Sequence, residues 1–170
     1  MNPDDRTRIG EWLARLSDAS LAVRFFSPVS RSTALAELLR GVSSSERLAL
    51  VLGTVESGRE MLIAHAEYLR DGVQAPGAEV AFLVADAYHG RGCATLLLHR
   101  LARAARVAGI TRFHAAVRTE NVRMLGVFRN SGFPVAEWSL SDAEEVSFSI
   151  VDEGKEFPTF PRARPVAAGR

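Results

Sequence analysis

At 170 residues, with 47% hydrophobic and 24% charged side chains, the chain is long enough for one packed core, too short for two ordinary domains, and too apolar to be a disordered polymer. A formal net charge of +1 gives no overall field to gather nucleic acid or an anionic membrane surface, so any anion site must be local. The single cysteine, Cys93, excludes an internal disulfide and a four-cysteine zinc site. No signal peptide and no apolar run of membrane-spanning length is seen, and a cytoplasmic protein without a metal, a nucleic-acid partner or a membrane partner is expected.

Taken in order, residues 5–16 place Ile9, Trp12, Leu13 and Leu16 at helical spacing behind an acidic start. Residues 17–32 carry serines that offer caps, and Pro28 argues against a long helix there. The spacing of Leu35, Leu38 and Leu39 predicts a short second helix over 33–40, followed by a small-residue link at 41–45. RLALVLGTV and MLIAHAEYLR then read as an antiparallel hairpin turning at Gly58. Residues 71–77, rich in Gly and Pro, form a loop into the central stretch, 78–133.

That stretch begins with a strand over 78–84. Val80, Phe82 and Val84 lie on one face and Glu79, Ala81 and Leu83 on the other, so both faces carry apolar residues and the strand belongs in the middle of a sheet. From Cys93 the stripe Ala94, Leu97, Leu98, Leu101, Ala105 and Ala108 predicts an amphipathic helix that stops at Gly109. Arg100, Arg103 and Arg106 fall mostly outside the stripe, on a solvated face, with a phosphate or partner role as the second reading. A strand over 111–117 follows, then a short helix opened by Asn121 and closed by Gly132, then two strands, PVAEWSL and EEVSFSIV. One domain over 1–153 is expected, with a Pro-rich tail over 154–170 that lacks a core pattern.

The turn His89, Gly90, Arg91, Gly92, Cys93, Ala94 joins a strand end to a helix start. Small residues there let the backbone approach a ligand, and unpaired N–H groups with the helix dipole favour a phosphate, to which Arg91 would add charge. On these residues alone a tight connection accounts for the turn equally well. Neither a P-loop nor a Rossmann fingerprint is present. Cys93 reads as a small helix-start residue with no adjacent His partner, and His65 and His114 as strand histidines, with His114 a reserve acid or base.

VADAYHGRGCATLLL resembles motif A of the GCN5-related N-acetyltransferases, the pattern Q/R-x-x-G-x-G/A after a strand, with Val84, Tyr88, Gly90, Arg91, Gly92 and Ala94 in the family's slots. ENVRMLGVFRNSGF resembles the same family's motif B through Asn121, Met124, Leu125, Phe128, Gly132 and Phe133. LSDASLAVRFFSP and AEVAFLVADAYHGRG extend the resemblance to the acetyltransferase domain of bacterial Pat-type protein lysine acetyltransferases.

The resemblance implies an α/β (α+β) fold: a mixed, mostly antiparallel sheet with helices on both faces, splayed between the strand of Glu79 and the strand of His114. It implies transfer of an acetyl group from acetyl-CoA to a primary amine, with a protein lysine favoured, a small amine as runner-up, and a catalytically weak acyl-CoA-binding module as the competing reading. Glu79 matches the acid taken as general base in the Pat-type group; as a bare strand residue it would instead pair with an arginine. N–H groups near Leu83 and Val84 would hold the pantetheine arm, those of His89, Gly90, Arg91, Gly92, Cys93 and Ala94 the pyrophosphate, and Asn121 would orient the cofactor or simply cap its helix.

Three departures stand out. His89 replaces the usual Gln or Arg at the head of motif A, and Phe128 replaces the tyrosine that many members use to protonate the leaving thiolate, a role water is expected to fill. The family's first strand is not evident before the first helix, and no regulatory domain of the kind often fused to Pat-type enzymes is expected. The family's dimers leave room for a homodimer, with no surface assigned.

Overall fold

The computed structural model describes residues 3–40, 46–139 and 142–151. The expected link at 41–45, Ser141 of the last turn, and the expected tail over 154–170 lie outside them.

Three helices come first: α1 (Pro3–Ala14), α2 (Asp18–Phe25) and α3 (Arg31–Leu39). The sequence reading allowed two helices here, and α2 is the addition. Ser17 caps it, its Oγ accepting from the Ser20 N–H at 3.1 Å, and the helix ends at Phe26, held at φ 58°. At eight residues it is short enough to finish before Pro28, so the proline's objection to a long helix holds. Ser30 caps α3 in the same way through the Thr33 N–H.

The hairpin is β1 (Arg47–Glu56) and β2 (Arg59–Arg70), turning through Ser57 and Gly58 at positive φ. There follow β3 (Gly77–Val84), a one-turn 3₁₀ segment at Asp86–Tyr88, α4 (Cys93–Val107), β4 (Arg112–Arg118), α5 (Val122–Arg129), β5 (Val135–Ser139) and β6 (Ala143–Ser149). One six-stranded sheet runs in the order β1-β2-β3-β4-β6-β5, antiparallel at every junction except β3–β4.

Alternation along the strands gives the sheet two apolar faces. Ala78 and Val80 on β3, Ala64, Ala66 and Tyr68 on β2, and Phe113, Ala115 and Val117 on β4 form one core with Leu97, Leu98 and Leu101 of α4 and Leu125 and Phe128 of α5. Leu83 on the opposite face joins Ile9, Trp12, Leu13, Leu21 and Leu38 of the N-terminal helices in a second core. This is the mixed, mostly antiparallel α/β arrangement with helices on both faces.

The β3–β4 junction positions everything that follows. Its parallel ladder has three rungs, Gly77 with Arg112, Ala78 with Phe113 and Glu79 with His114, whereas β2 stays paired to β3 as far as Val84 and β6 stays paired to β4 as far as Arg118. Beyond Glu79 the two central strands therefore part, each held by its outer neighbour. Among the described residues, no helix is long and apolar enough to cross a membrane.

Candidate active site

The strand-to-helix turn is built by two glycines. Gly90 at φ 72° and Gly92 at φ 78° occupy the left-handed region, and a Cβ added at either would meet nothing within 4 Å, so the turn's concave side is open. Gly92 caps α4 without a side chain, and the first helical bond runs from the Leu96 N–H to the Gly92 carbonyl. The N–H groups of Cys93, Ala94 and Thr95 therefore have no carbonyl one turn back. They face a cavity of about 890 Å³ lined by Gly90, Gly92, Cys93 and Ala94 on one side and Asn121, Met124 and Val127 on the other. Cys93 is buried, and burial, opposed by its backbone hydrogen bond and by Arg91, pushes its thiol above the ordinary value, which disfavours the thiolate.

Arg91 does not line this cavity; its guanidinium lies over the Tyr88 ring, 5.0 Å from the centroid, and the Tyr88 hydroxyl bonds the Glu56 carboxylate. His89 does line it. Its Nε2–H donates to the Val84 carbonyl at 3.0 Å, which leaves Nδ1 to accept from Arg123 Nη1 at 3.2 Å.

The free edge of β3 supplies a second set of main-chain groups. The Asp71 N–H donates to the Gly77 carbonyl, and the Ala85 N–H to the Ile63 carbonyl, so the odd-numbered residues of β3 exchange their main-chain bonds with β2. The even-numbered ones point the other way, into the gap left by β4. Phe82 and Val84 thus present N–H groups to the cleft, while the main chain of Leu83, also in the cavity wall, is engaged with β2. Phe82 is a residue the sequence reading missed, because the phase of the alternation is set by the register with β2.

Glu79 occupies the last rung before the strands part, with Leu69 on one side and His114 on the other, and is exposed. It lines a smaller cavity of about 280 Å³ together with Arg24, Ala116, Arg118 and Phe128. The two cavities share Val23, Arg24, Phe82, Asn121 and Met124, so they meet at a waist in the gap between β3 and β4. Asn121 caps α5, its Oδ1 accepting from the Met124 N–H at 3.2 Å. Phe128 is 1% exposed, its ring edge-on to Phe82 at 6.0 Å and against Phe148 at 5.4 Å. His114 beside Glu79 is flanked by carboxylates, with Nε2 2.7 Å from Asp71 Oδ1 and Nδ1 3.7 Å from Glu145 Oε1.

Helix α2 forms the waist's other wall, and sequence reasoning did not assign it a role. Glu67 of β2, 6% exposed, accepts from Arg24 Nη2 at 2.6 Å and from Arg47 Nε and Nη2 at 2.9 and 2.6 Å. Burial lowers the pKa of the Arg24 guanidinium, and Glu67 and Glu79 oppose that shift, so Arg24 stands in the field of both carboxylates. A glutamate interrupting the apolar run of MLIAHAEYLR was the available signal, since a carboxylate on a buried strand face needs a cation opposite. At the other end of α2, Asp86 accepts from the Ser17 N–H, Ser17 Oγ and Ser20 Oγ. Burial acts to raise the pKa of this carboxyl, but the three hydrogen bonds outweigh it and hold the group below the usual carboxylate range.

The site therefore has unpaired N–H groups at a glycine turn, a second row on a strand edge, an apolar wall at Met124 and Val127, and a carboxylate where the strands diverge. That fits a long ligand with a phosphate at one end, amides along its length and a reacting group near the waist. Among the described residues, no group of three or more His, Cys, Asp or Glu is placed to hold a metal ion.

Comparison with known proteins agrees with this architecture. The family model described as Acetyltransferase (GNAT) family matches residues 19–133. Acetyltransferase Pat of Mycolicibacterium smegmatis is 34% identical over 140 residues, covering 82% of this chain and 40% of that protein, so the chain spans well under half of this relative. The crystal structure of the GNAT domain of S. lividans PAT superposes with a TM-score of 0.72 at 31% identity, covering 88% of this chain and 87% of that one. A cAMP-binding acyltransferase from Mycobacterium smegmatis superposes with a TM-score of 0.58 at 28% identity, over 79% of this chain and 40% of that chain. With the family model spanning both the glycine turn and the helix opened by Asn121, the chain belongs to the GNAT acetyltransferase family.

Proposed function

We propose that this protein is an N-acetyltransferase that uses acetyl-CoA to acetylate a primary amine, with a protein lysine as the acceptor and Glu79 as the general base. The observation that carries the reading is the parting of β3 and β4 immediately after Glu79, with that carboxylate lining the small cavity that meets the long cleft at the gap. The resemblance of LSDASLAVRFFSP and AEVAFLVADAYHGRG to the Pat-type protein lysine acetyltransferases supports a protein lysine over a small amine.

The co-substrate supplies an acetyl thioester. The turn N–H groups from Gly90 to Ala94 bind its pyrophosphate, and the strand-edge N–H groups of Phe82 and Val84 bind along the pantetheine arm and donate to the negative charge that builds on the carbonyl oxygen. An amine of ordinary lysine pKa, about 10.4, arrives protonated at neutral pH, so a base must remove a proton before nitrogen can attack. Glu79, reached from the small cavity, takes that proton directly or through one water. Asn121 holds the start of α5 against the cleft, and Phe128, with no titratable group, leaves protonation of the thiolate to water.

The test is CoA-thiol release with a panel of proteins and small amines. Glu79→Gln is expected to lower kcat by about 10²–10⁴-fold, the usual contribution of a positioned base, with coenzyme A affinity retained. Equal turnover of the two proteins removes Glu79 from the mechanism. Turnover with small amines and none with proteins replaces the lysine acceptor by the smaller one.

A further inference from the structure

Resting on the acetyl-CoA reading, we propose that Arg123 is the cationic side chain that binds a cofactor phosphate at the mouth of the cleft, and that His89 is the strut that holds it there. Two cations were candidates for this work, and the structure separates them. Arg91, within the turn, is drawn over the Tyr88 ring, whose hydroxyl meets Glu56, and is not part of the cavity wall. Arg123 comes from 34 residues away, lines the cavity, and donates Nη1 to His89 Nδ1.

Three observations say that this guanidinium is placed for an anion. First, Arg123 is the second residue of α5, where a cation opposes the helix dipole. Second, among the described residues it has no carboxylate partner: nearby Glu120 is bonded to Arg118 Nε at 2.6 Å, and Asp86 is engaged by Ser17 and Ser20. Third, the one partner it has among the described residues is a ring-nitrogen acceptor. His89 gives its Nε2–H to Val84, so Nδ1 offers a lone pair that fixes the guanidinium without neutralising its charge, and four of five N–H donors are left for a ligand. An exposed cation against a helix dipole and without a counter-charge is destabilising in the empty protein, and a phosphate at the turn removes that penalty.

The experiment compares wild type with Arg123→Gln and Arg123→Lys by calorimetric titration with coenzyme A at two salt concentrations, with pantetheine as a probe lacking phosphate. Losing one charge-assisted contact is expected to weaken coenzyme A binding about tenfold or more in Arg123→Gln, to flatten its salt dependence, and to leave pantetheine affinity alone. Arg123→Lys keeps the charge and is expected to retain most of the affinity. Thermal melting supplies the control, because removing a cation from the start of α5 predicts that Arg123→Gln melts no lower than wild type. Unchanged coenzyme A affinity in Arg123→Gln overturns the proposal, as does an equal loss for pantetheine or a lowered melting temperature. If wild type itself fails to bind coenzyme A, the acetyl-CoA reading falls and this one with it.

Discussion

Replacing His65 by Leu tests the electrostatics beneath the active-site strand. His65 is 1% exposed on β2, its ring 6.5 Å from that of Trp12, and both His65 Nδ1 and Trp12 Nε1 are buried without a hydrogen-bond partner among the described residues. Burial, then the nearby Arg24 and Arg47, lowers its pKa from 6.5 to about 3. The native state therefore keeps the ring neutral while the unfolded chain protonates it below pH 6.5. The unfolded state binds the extra proton throughout that interval, so stability falls as pH falls. At about 1.36 kcal/mol per pH unit, moving from pH 7.5 to pH 5 costs the native state about 2 kcal/mol through this group alone. Urea unfolding of wild type and His65→Leu at fixed ionic strength measures it. Other groups, including His99, whose pKa burial also lowers, titrate in both proteins and cancel in the difference. Between pH 7.5 and pH 5 wild type is expected to lose about 2 kcal/mol more stability than the variant, so that the two curves diverge. Parallel curves between pH 7.5 and pH 5 would show that His65 is not held neutral.

Two further changes probe the cleft. Glu67→Gln leaves Arg24 and Arg47 facing one another without their shared carboxylate and is expected to destabilise the protein by roughly 3–5 kcal/mol, the cost of breaking a buried ion pair; a loss under about 1 kcal/mol in urea unfolding would mean water reaches the trio. Gly92→Ala puts a methyl group into open space at φ 78°, so its cost is the backbone penalty of about 1–2 kcal/mol together with a raised KM for acetyl-CoA, and a variant unchanged in both measurements refutes the turn's assignment.

What the sequence made legible was local. The Gly90 and Gly92 turn, the helix from Cys93 and the Asn121 cap each depend on a few consecutive residues, and the structure places all of them at one cleft. What it hid depends on register or on distance. Phe82 rather than Leu83 offers its N–H to the gap because of how β3 is phased against β2, which no pattern within β3 reveals. The Arg24–Glu67–Arg47 trio joins residues 43 and 20 positions apart, and α2 itself is an eight-residue helix framed by serines that also read as loop. Arg91, expected to add charge at the turn, lies over the Tyr88 ring, and Arg123, given no role in the sequence analysis, lines the cavity beside His89, because a side chain's direction follows from its neighbours.

Helix α2 ties these parts together. Its first turn is fastened by Ser17 and Ser20 to Asp86, at the head of the loop that becomes the glycine turn, and its last turn is fastened by Arg24 to Glu67, in the field of Glu79. The same short helix therefore spans from the end of the cleft where a phosphate would sit to the end where a proton would be taken. Val23 and Arg24, at the waist, are fixed from both sides. A rigid waist matters because the reacting atoms must meet within a few tenths of an ångström, and a helix pinned at both ends by charged hydrogen bonds holds that spacing better than a loop. The parting of β3 and β4 opens the route between the two cavities, and α2 sets its width.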